Sequence, residues 1–137
     1  MVKAKERETN EWVYGNYMRI VETDTYYVAP HGYHVYKSDE LLPNSYMQIC
    51  GIEVDKNTIC RPTMLLDKNG NMIWENDVVM YDKENCLLIV KYTEKLGMWE
   101  LYYVESRNSY PFTLCEHLNE LSVVGNIDDL KEIIEGD

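Results

Sequence analysis

The stretch "DKNGNMIWENDVV", Asp67 to Val79, sets two turn signals on either side of a short apolar run. Asn69-Gly70 is the dipeptide best suited to a type I′ hairpin turn, in which both central residues take positive φ. The reading is a chain reversal over Asp67-Lys68-Asn69-Gly70, a short strand "NMIW", a second turn over Glu75-Asn76-Asp77, and a strand "DVVMY". In that strand Val78 and Met80 face one side and Val79 and Tyr81 the other. Two tight turns this close together predict a small, sharply bent antiparallel sheet.

Working outward toward the C-terminus, Asp82 to Asn85 make a third turn, and "CLLIVKYT" sets Leu87 and Ile89 against Leu88, Val90 and Tyr92. Such a strand is apolar on both faces. "EKLG" returns the chain into "MWELYYV", where Trp99, Leu101 and Tyr103 share a face, and the two strands form a hairpin. "ESRNSYP" is a loop. Leu114, Leu118 and Leu121 in "FTLCEHLNEL" recur at helical spacing, and "SVVGNI" reads as a strand. Asp128 or Asp129 then caps a short terminal helix that buries Leu130, Ile133 and Ile134.

Toward the N-terminus the pieces are again short. "EWVYGNYMRIV" and "TYYVAP" are two strands around a polar turn, and "YHVYKS", "ELLPNSYMQI" and "GIEV" follow, broken by Gly32, Pro43, Asn44 and Gly51. "VDKNTICRP" is polar and turn-rich, and a seam is placed there. Residues 1–11 alternate charge signs without apolar periodicity and read as a solvated lead-in with no role. The fold class is therefore mainly β with one or two short helices, at the margin of α+β. An N-terminal β-rich meander over residues 1–60 precedes a small barrel or roll over residues 61–137.

Composition narrows the function classes. Tyrosine occurs twelve times and phenylalanine once, an amphipathic aromatic load that suits half-buried strands and contact surfaces. Residues 1–61 carry nine acidic against seven basic side chains, whereas residues 62–137 carry fifteen against six. A net charge of −11 repels phosphate backbones, so nucleic acid is disfavoured as a partner. Met1 to Glu11 holds no leader pattern and no run approaches the roughly 18 apolar residues of a membrane span. The expectation is a cytoplasmic protein without a membrane partner. Cys50, Cys60, Cys86 and Cys115 lie far apart and read as reduced thiols.

No constellation for chemistry assembles from spacing. His31, His34 and His117 have no marked nucleophile beside them, and His31-x-x-His34 and Cys115-x-His117 do not supply four metal ligands. The carboxylate pairs Asp39-Glu40, Glu75 with Asp77, and Asp128-Asp129 sit at turn or cap positions that favour acids for local hydrogen bonding. Each glycine is isolated, so no phosphate-cradling loop exists. No catalytic, cofactor-binding or metal residue is assigned, and no cofactor is expected.

"VDKNTICRPTMLLDKNGNMIWENDVV", Val54 to Val79, followed by "SVVGNI", Ser122 to Ile127, resembles the YopX family of phage and prophage proteins. That family's pattern is a "V-x-x-x-T" approach, a "T-G-L-x-D-K-N-G-x-x-I-Y-E-G-D-I-V" core and a closing "V-I-G-N-I". Thr63, Asp67, Asn69, Gly70, Ile73, Glu75, Asp77, Gly125 and Asn126 are the matching positions that form a structural motif. Met64 stands where a glycine is usual, and Asn76 replaces the glycine between Glu75 and Asp77. Asparagine tolerates left-handed backbone, so the second turn survives that exchange. The resemblance implies an SH3-like barrel or roll for the C-terminal half, self-association into a homo-oligomer, and no established catalytic activity.

The function expected is that of a non-enzymatic phage or prophage accessory protein, acting through self-association and contacts with a host or phage protein. Tyr26, Tyr27, Tyr33 and Tyr36 are the candidate contact surface. The alternative is a small-barrel module for single-stranded nucleic acid, using the same tyrosines beside Arg19 and Lys37.

Overall fold

The computed structural model describes residues 1–30, 35–38, 46–49, 51–104 and 110–130, with 35–38 and 46–49 given by their backbone. It divides into two compact units, Met1–Arg61 and Pro62–Asp137.

In the first unit β1 (Val2–Lys5), β2 (Trp12–Ile20), β3 (Thr25–Ala29), β4 (Val35–Ser38), β5 (Tyr46–Ile49) and β6 (Ile52–Val54) follow one another. The main sheet runs β1-β2-β3-β6, and β4-β5 form a separate antiparallel pair. The long strand β2 is divided between two neighbours: Trp12 to Gly15 pair with β1, and Asn16 to Ile20 pair with β3. Gly15 stands at the handover. A Cβ there would fall on the Ala29 carbonyl and within 2.9 Å of Pro30 Cα, so only glycine lets the strands approach this closely.

The sheet then closes on itself. Bridges join Lys3 to Cys60 and Glu6 to Val54, and the Asp55 N–H donates to the Lys5 carbonyl at 2.9 Å. Inside lie Val2, Ala4, Val28 and Val54, with Val13, Tyr26 and Ile59 packed against them. Residues 1–11 are thus not a solvated lead-in: Val2 and Ala4 alternate into the core, and Lys3 and Lys5 take the other face of β1. Their ammonium groups lie 4.4 and 5.2 Å from the centroid of the Trp12 ring. Long aliphatic stems and an indole face accommodate lysines that charge counting assigns to solvent.

The second unit holds β7 (Pro62–Leu66), β8 (Met72–Trp74), β9 (Asp77–Tyr81), β10 (Cys86–Thr93), β11 (Met98–Tyr103), β12 (Phe112–Thr113) and β13 (Leu121–Asn126). Five strands in the order β12-β11-β10-β9-β13 make a curled antiparallel half-barrel, and β7-β8 form a hairpin. Its core is Ile73, Val79, Tyr81, Leu88, Val90, Leu101, Leu114 and Leu121. Val78, on the other face of β9, is also fully buried. The mainly β class and the small barrel-like form expected from sequence are both present.

Three local expectations are corrected. Leu114 to Leu121 make two 3-10 turns, Leu114–Glu116 and Leu118–Glu120, instead of an α-helical turn; the spacing is met because Leu114 and Leu121 both reach the core. The terminal helix starts at 127, and Asn126 Oδ1 accepts the Asp128 N–H at 3.1 Å. Asn126, not Asp128 or Asp129, is the cap. Ile133 and Ile134 lie outside the described residues. In the 67–70 turn only Gly70 has positive φ, +81°, so this is a type I turn with a glycine bulge and not the type I′ turn.

Candidate functional site

The motif residues converge on one carboxylate. Asp67 Oδ1 accepts the backbone N–H of Asn69 at 2.9 Å and of Asn71 at 2.8 Å, while Oδ2 accepts that of Val123 at 2.8 Å. Burial pushes the Asp67 carboxyl up, but the three amides of Val123, Asn71 and Asn69 outweigh it and hold it below the ordinary carboxylate range. The Lys68 N–H adds a bond to the Leu121 carbonyl at 3.0 Å, so the β7-β8 turn is sewn to the edge of β13. This meets the backbone groups of a strand edge that would otherwise stay open.

Thr63 and Met64 shape the approach to that turn. The Thr63 hydroxyl donates to the Ile73 carbonyl at 2.7 Å and accepts the Leu65 N–H at 3.1 Å, across an irregularity in the β7-β8 register. Met64, between them, has φ +64° and is 71% exposed. The glycine usual here in the family pattern has a backbone reason.

A second knot joins β8, β9 and β13. Asp77 Oδ2 accepts the Trp74 N–H at 2.8 Å, and Asn126 Nδ2 donates to Asp77 Oδ1 and to the Glu75 carbonyl, both at 3.1 Å. Asn76 takes φ +67°, as a glycine replacement there must; its N–H bonds the Val90 carbonyl and its carbonyl accepts the Ile127 N–H, each at 2.8 Å. Gly125 is not required for φ: a Cβ there would lie 3.1 Å from Leu130 Cδ1, so its role is to admit the terminal helix. Thr63, Asp67, Asp77 and Asn126 therefore act as a scaffold, each with a side-chain group bonded to backbone, while Ile73 fills the core and Gly70 and Gly125 serve turn and packing.

Of the four candidate tyrosines, Tyr26 and Tyr27 are adjacent on β3 and fall on opposite faces. Tyr26 packs on the first unit's core, while Tyr27 stands opposite Met18 and Glu53. Tyr33 lies outside the described residues, and Tyr36 is placed on β4 opposite Gln48 by backbone alone. Tyr17 and Arg19 stand opposite Val28 and Tyr26, which puts them on the Tyr26 face, and the guanidinium of Arg19 is 5.7 Å from the Tyr26 ring centroid.

Beside Tyr26 opens a groove of roughly 360 Å³, lined also by Arg7, Asp24, Glu53, Asp55 and Lys56. Asp24 binds Lys56 Nζ at 3.1 Å and Arg19 at 3.0 Å. Its carboxyl is held below the ordinary range, first by the Lys56 hydrogen bond and further by Arg19, against a smaller effect of burial. Arg7 and Glu53 form a looser pair at 3.4 Å. Sequence reasoning did not find this groove, because its residues come from three separate segments, Arg7, Asp24 to Tyr26 and Glu53 to Asn57, that only the fold brings together.

His117 lies in an aromatic cluster, 4.9 Å from Phe112 and 5.7 Å from Tyr81 between ring centroids. Tyr103 donates its hydroxyl to Glu84 at 2.6 Å, and that bond, aided by burial, pushes its phenol up to about 12. Among the described residues no group of three His, Cys, Asp or Glu side chains could hold a metal ion. His31 and His34 lie outside them. No helix of the described residues is long and apolar enough to cross a membrane.

The family model described as "YopX protein" matches residues 3–135. The chain belongs to the YopX family. A match over nearly the whole chain takes in the N-terminal barrel as well as the 54–79 motif. The fold is similar to the crystal structure of protein EF1440 from Enterococcus faecalis, with a TM-score of 0.58 and 18% identity, covering 97% of this chain and 96% of that one. A search of curated proteins finds no match. The motif core from Thr63 to Val79 maps onto turn chemistry and strand stitching in the second unit, while its approach, Val54 to Thr58, borders the groove of the first.

Proposed function

We propose that this YopX protein is a non-enzymatic phage or prophage accessory protein of the bacterial cytoplasm, working by self-association and by contacts with a host or phage protein. The observation that supports this reading is that five exposed apolar side chains sit on strands, Tyr14 and Tyr17 on β2, Met64 and Leu66 on β7, and Val124 on β13, beside others in turns and loops such as Val21, Leu96 and Tyr110. Strand positions fix the side chains that a partner would meet, and aromatic residues and methionine are enriched at protein interfaces. The most sequence-distinctive carboxylates, Asp67 and Asp77, are both engaged with backbone amides. Size-exclusion chromatography with light scattering tests the reading. A defined oligomer free of nucleic acid is the expected result, and a monomer at all concentrations would overturn self-association.

A single-stranded nucleic-acid module is the second reading, supported by Tyr17, Arg19 and Tyr26 on one face, a pattern suited to base stacking. Asp24 neutralises Arg19 and Lys56 beside it, and the chain carries −11 overall. No shift of a labelled single strand is expected even at low salt; retention at low salt would bring this reading forward.

A further inference from the structure

We infer that Asn69-Gly70 is a latent deamidation site whose lifetime is set by the Asp67 carboxylate. The chemistry needs only the chain and water. The Gly70 backbone nitrogen, giving up its proton to solvent, attacks Cγ of Asn69. A new C–N bond forms, the bond from Cγ to the side-chain amide nitrogen breaks, and ammonia leaves. Water then opens the cyclic imide, giving aspartate or isoaspartate at position 69.

Sterically the site is open. Asn69 is exposed, and nothing beyond the adjoining residues lies within 4 Å of the point where a Gly70 Cβ would stand, so the turn is open on that side. What restrains it is hydrogen bonding. The Gly70 N–H, the nucleophile, donates to the Asp67 carbonyl at 3.1 Å, and the Asn69 N–H is held by Asp67 Oδ1 at 2.9 Å. The same oxygen holds Asn71, and the Asp67 N–H donates to the Asn71 carbonyl at 2.9 Å, closing the turn from both sides. For the nitrogen to swing toward Asn69 Cγ, its own bond must break and the peptide before it must rotate against the Asp67 carboxylate.

The product also has a defined consequence. Isoaspartate adds a methylene to the main chain in a turn whose register is fixed by Asp67, and it adds a negative charge next to that carboxylate. The bond from Val123 to Asp67 depends on that register, so modification loosens the stitch between the turn and β13.

The test is peptide mass mapping of the Asn69 segment after incubation of the intact protein at mildly alkaline pH, folded and in urea. Alongside run D67N and L88A, the latter a core substitution on β10 that leaves the Asp67 carboxylate in place. Deamidation of the folded wild type is expected to be slower than in urea by about tenfold or more, the factor for attack that must first break two hydrogen bonds. D67N is expected to deamidate faster than L88A at matched stability. Equal rates in folded and unfolded wild type, or D67N no faster than L88A, would overturn the inference. Should D67N not fold, hydrogen exchange at the Gly70 amide of the wild type decides: protection supports the restraint, and exchange at the unfolded rate removes it.

Discussion

Asp67 and Val123 are 56 positions apart in the chain and are joined by a hydrogen bond of 2.8 Å from the Val123 N–H to the Asp67 carboxylate. One side chain thereby fixes both a hairpin turn and the edge of the sheet beside it. Asp67→Asn keeps the shape and loses the charge, so it weakens three charge-assisted bonds at once. The expected loss is about 2–4 kcal/mol, read from urea unfolding.

Because the Asp67 carboxyl is held lower in the folded than in the unfolded chain, its contribution is present above the unfolded value of about 3.9 and is lost as pH falls through the folded one. The urea midpoint of the wild type should therefore decline below about pH 4 more steeply than that of Asp67→Asn. Parallel pH profiles would contradict the assignment.

Met64 carries a side chain into left-handed backbone, at φ +64°, with little packing in return. That conformation costs about 1–2 kcal/mol for a residue with Cβ, while glycine raises the freedom of the unfolded chain by about 0.4–1. Met64→Gly is expected to stabilise by about 0.5–1 kcal/mol. A β-branched residue at the same place, Met64→Val, should destabilise. Thermal melts of the pair check the sign of both.

Glycine-to-alanine changes should rank by what the new methyl meets. At Gly15 it meets the Ala29 and Pro30 backbone, which cannot yield without separating β2 from β3, and about 3 kcal/mol or more should be lost. At Gly70 there is open space and the loss is confined to the left-handed strain of about 1–2 kcal/mol. At Gly125 the methyl meets the end of Leu130, a flexible side chain, and the loss should be the smallest. Denaturant midpoints of the three variants give the order.

The Tyr103 phenol, raised to about 12 by its bond to Glu84, is a group whose folded value exceeds its unfolded one. It stabilises fully below the unfolded value of about 10 and ceases to do so as pH rises through the folded one. Tyr103→Phe should therefore lower stability at neutral pH and flatten the alkaline limb of the stability profile. A phenolate titration followed by ultraviolet absorbance should lose its latest-titrating component in that variant.

Much of the second unit could be read from sequence because its signals are local. Turn residues at 67–70, 75–77 and 82–85 separate runs whose alternation gives β8 to β11 in register. Asn76 was recognisable as a glycine substitute only through the resemblance to the family pattern, since local signals marked it as no more than a turn residue. Asp67 itself was recognisable as a turn residue, but its bond to Val123 was not, since a carboxylate that accepts local amides leaves no sequence trace of a remote one. Strand β1 was missed because Lys3 and Lys5 break the apolar run, and their tolerance depends on Trp12 across the sheet. The cap at Asn126 was misplaced by two or three residues because Asn and Asp serve equally well as caps. The groove beside Tyr26 depends on the closure of the first sheet, which no local pattern announces.

The closure of that sheet also orders events in time. Its strand β1 leaves the ribosome well before the partners that close the sheet, Val54 and Cys60, which are among the last residues of the unit to be made. Until then β1 can pair on one side only, with β2. Joining ends this far apart is entropically slow, and contacts of this kind retard folding. The first unit is accordingly expected to acquire its protection from hydrogen exchange at β2 and β3 before β1, so that β1 is the last strand of the sheet to be secured.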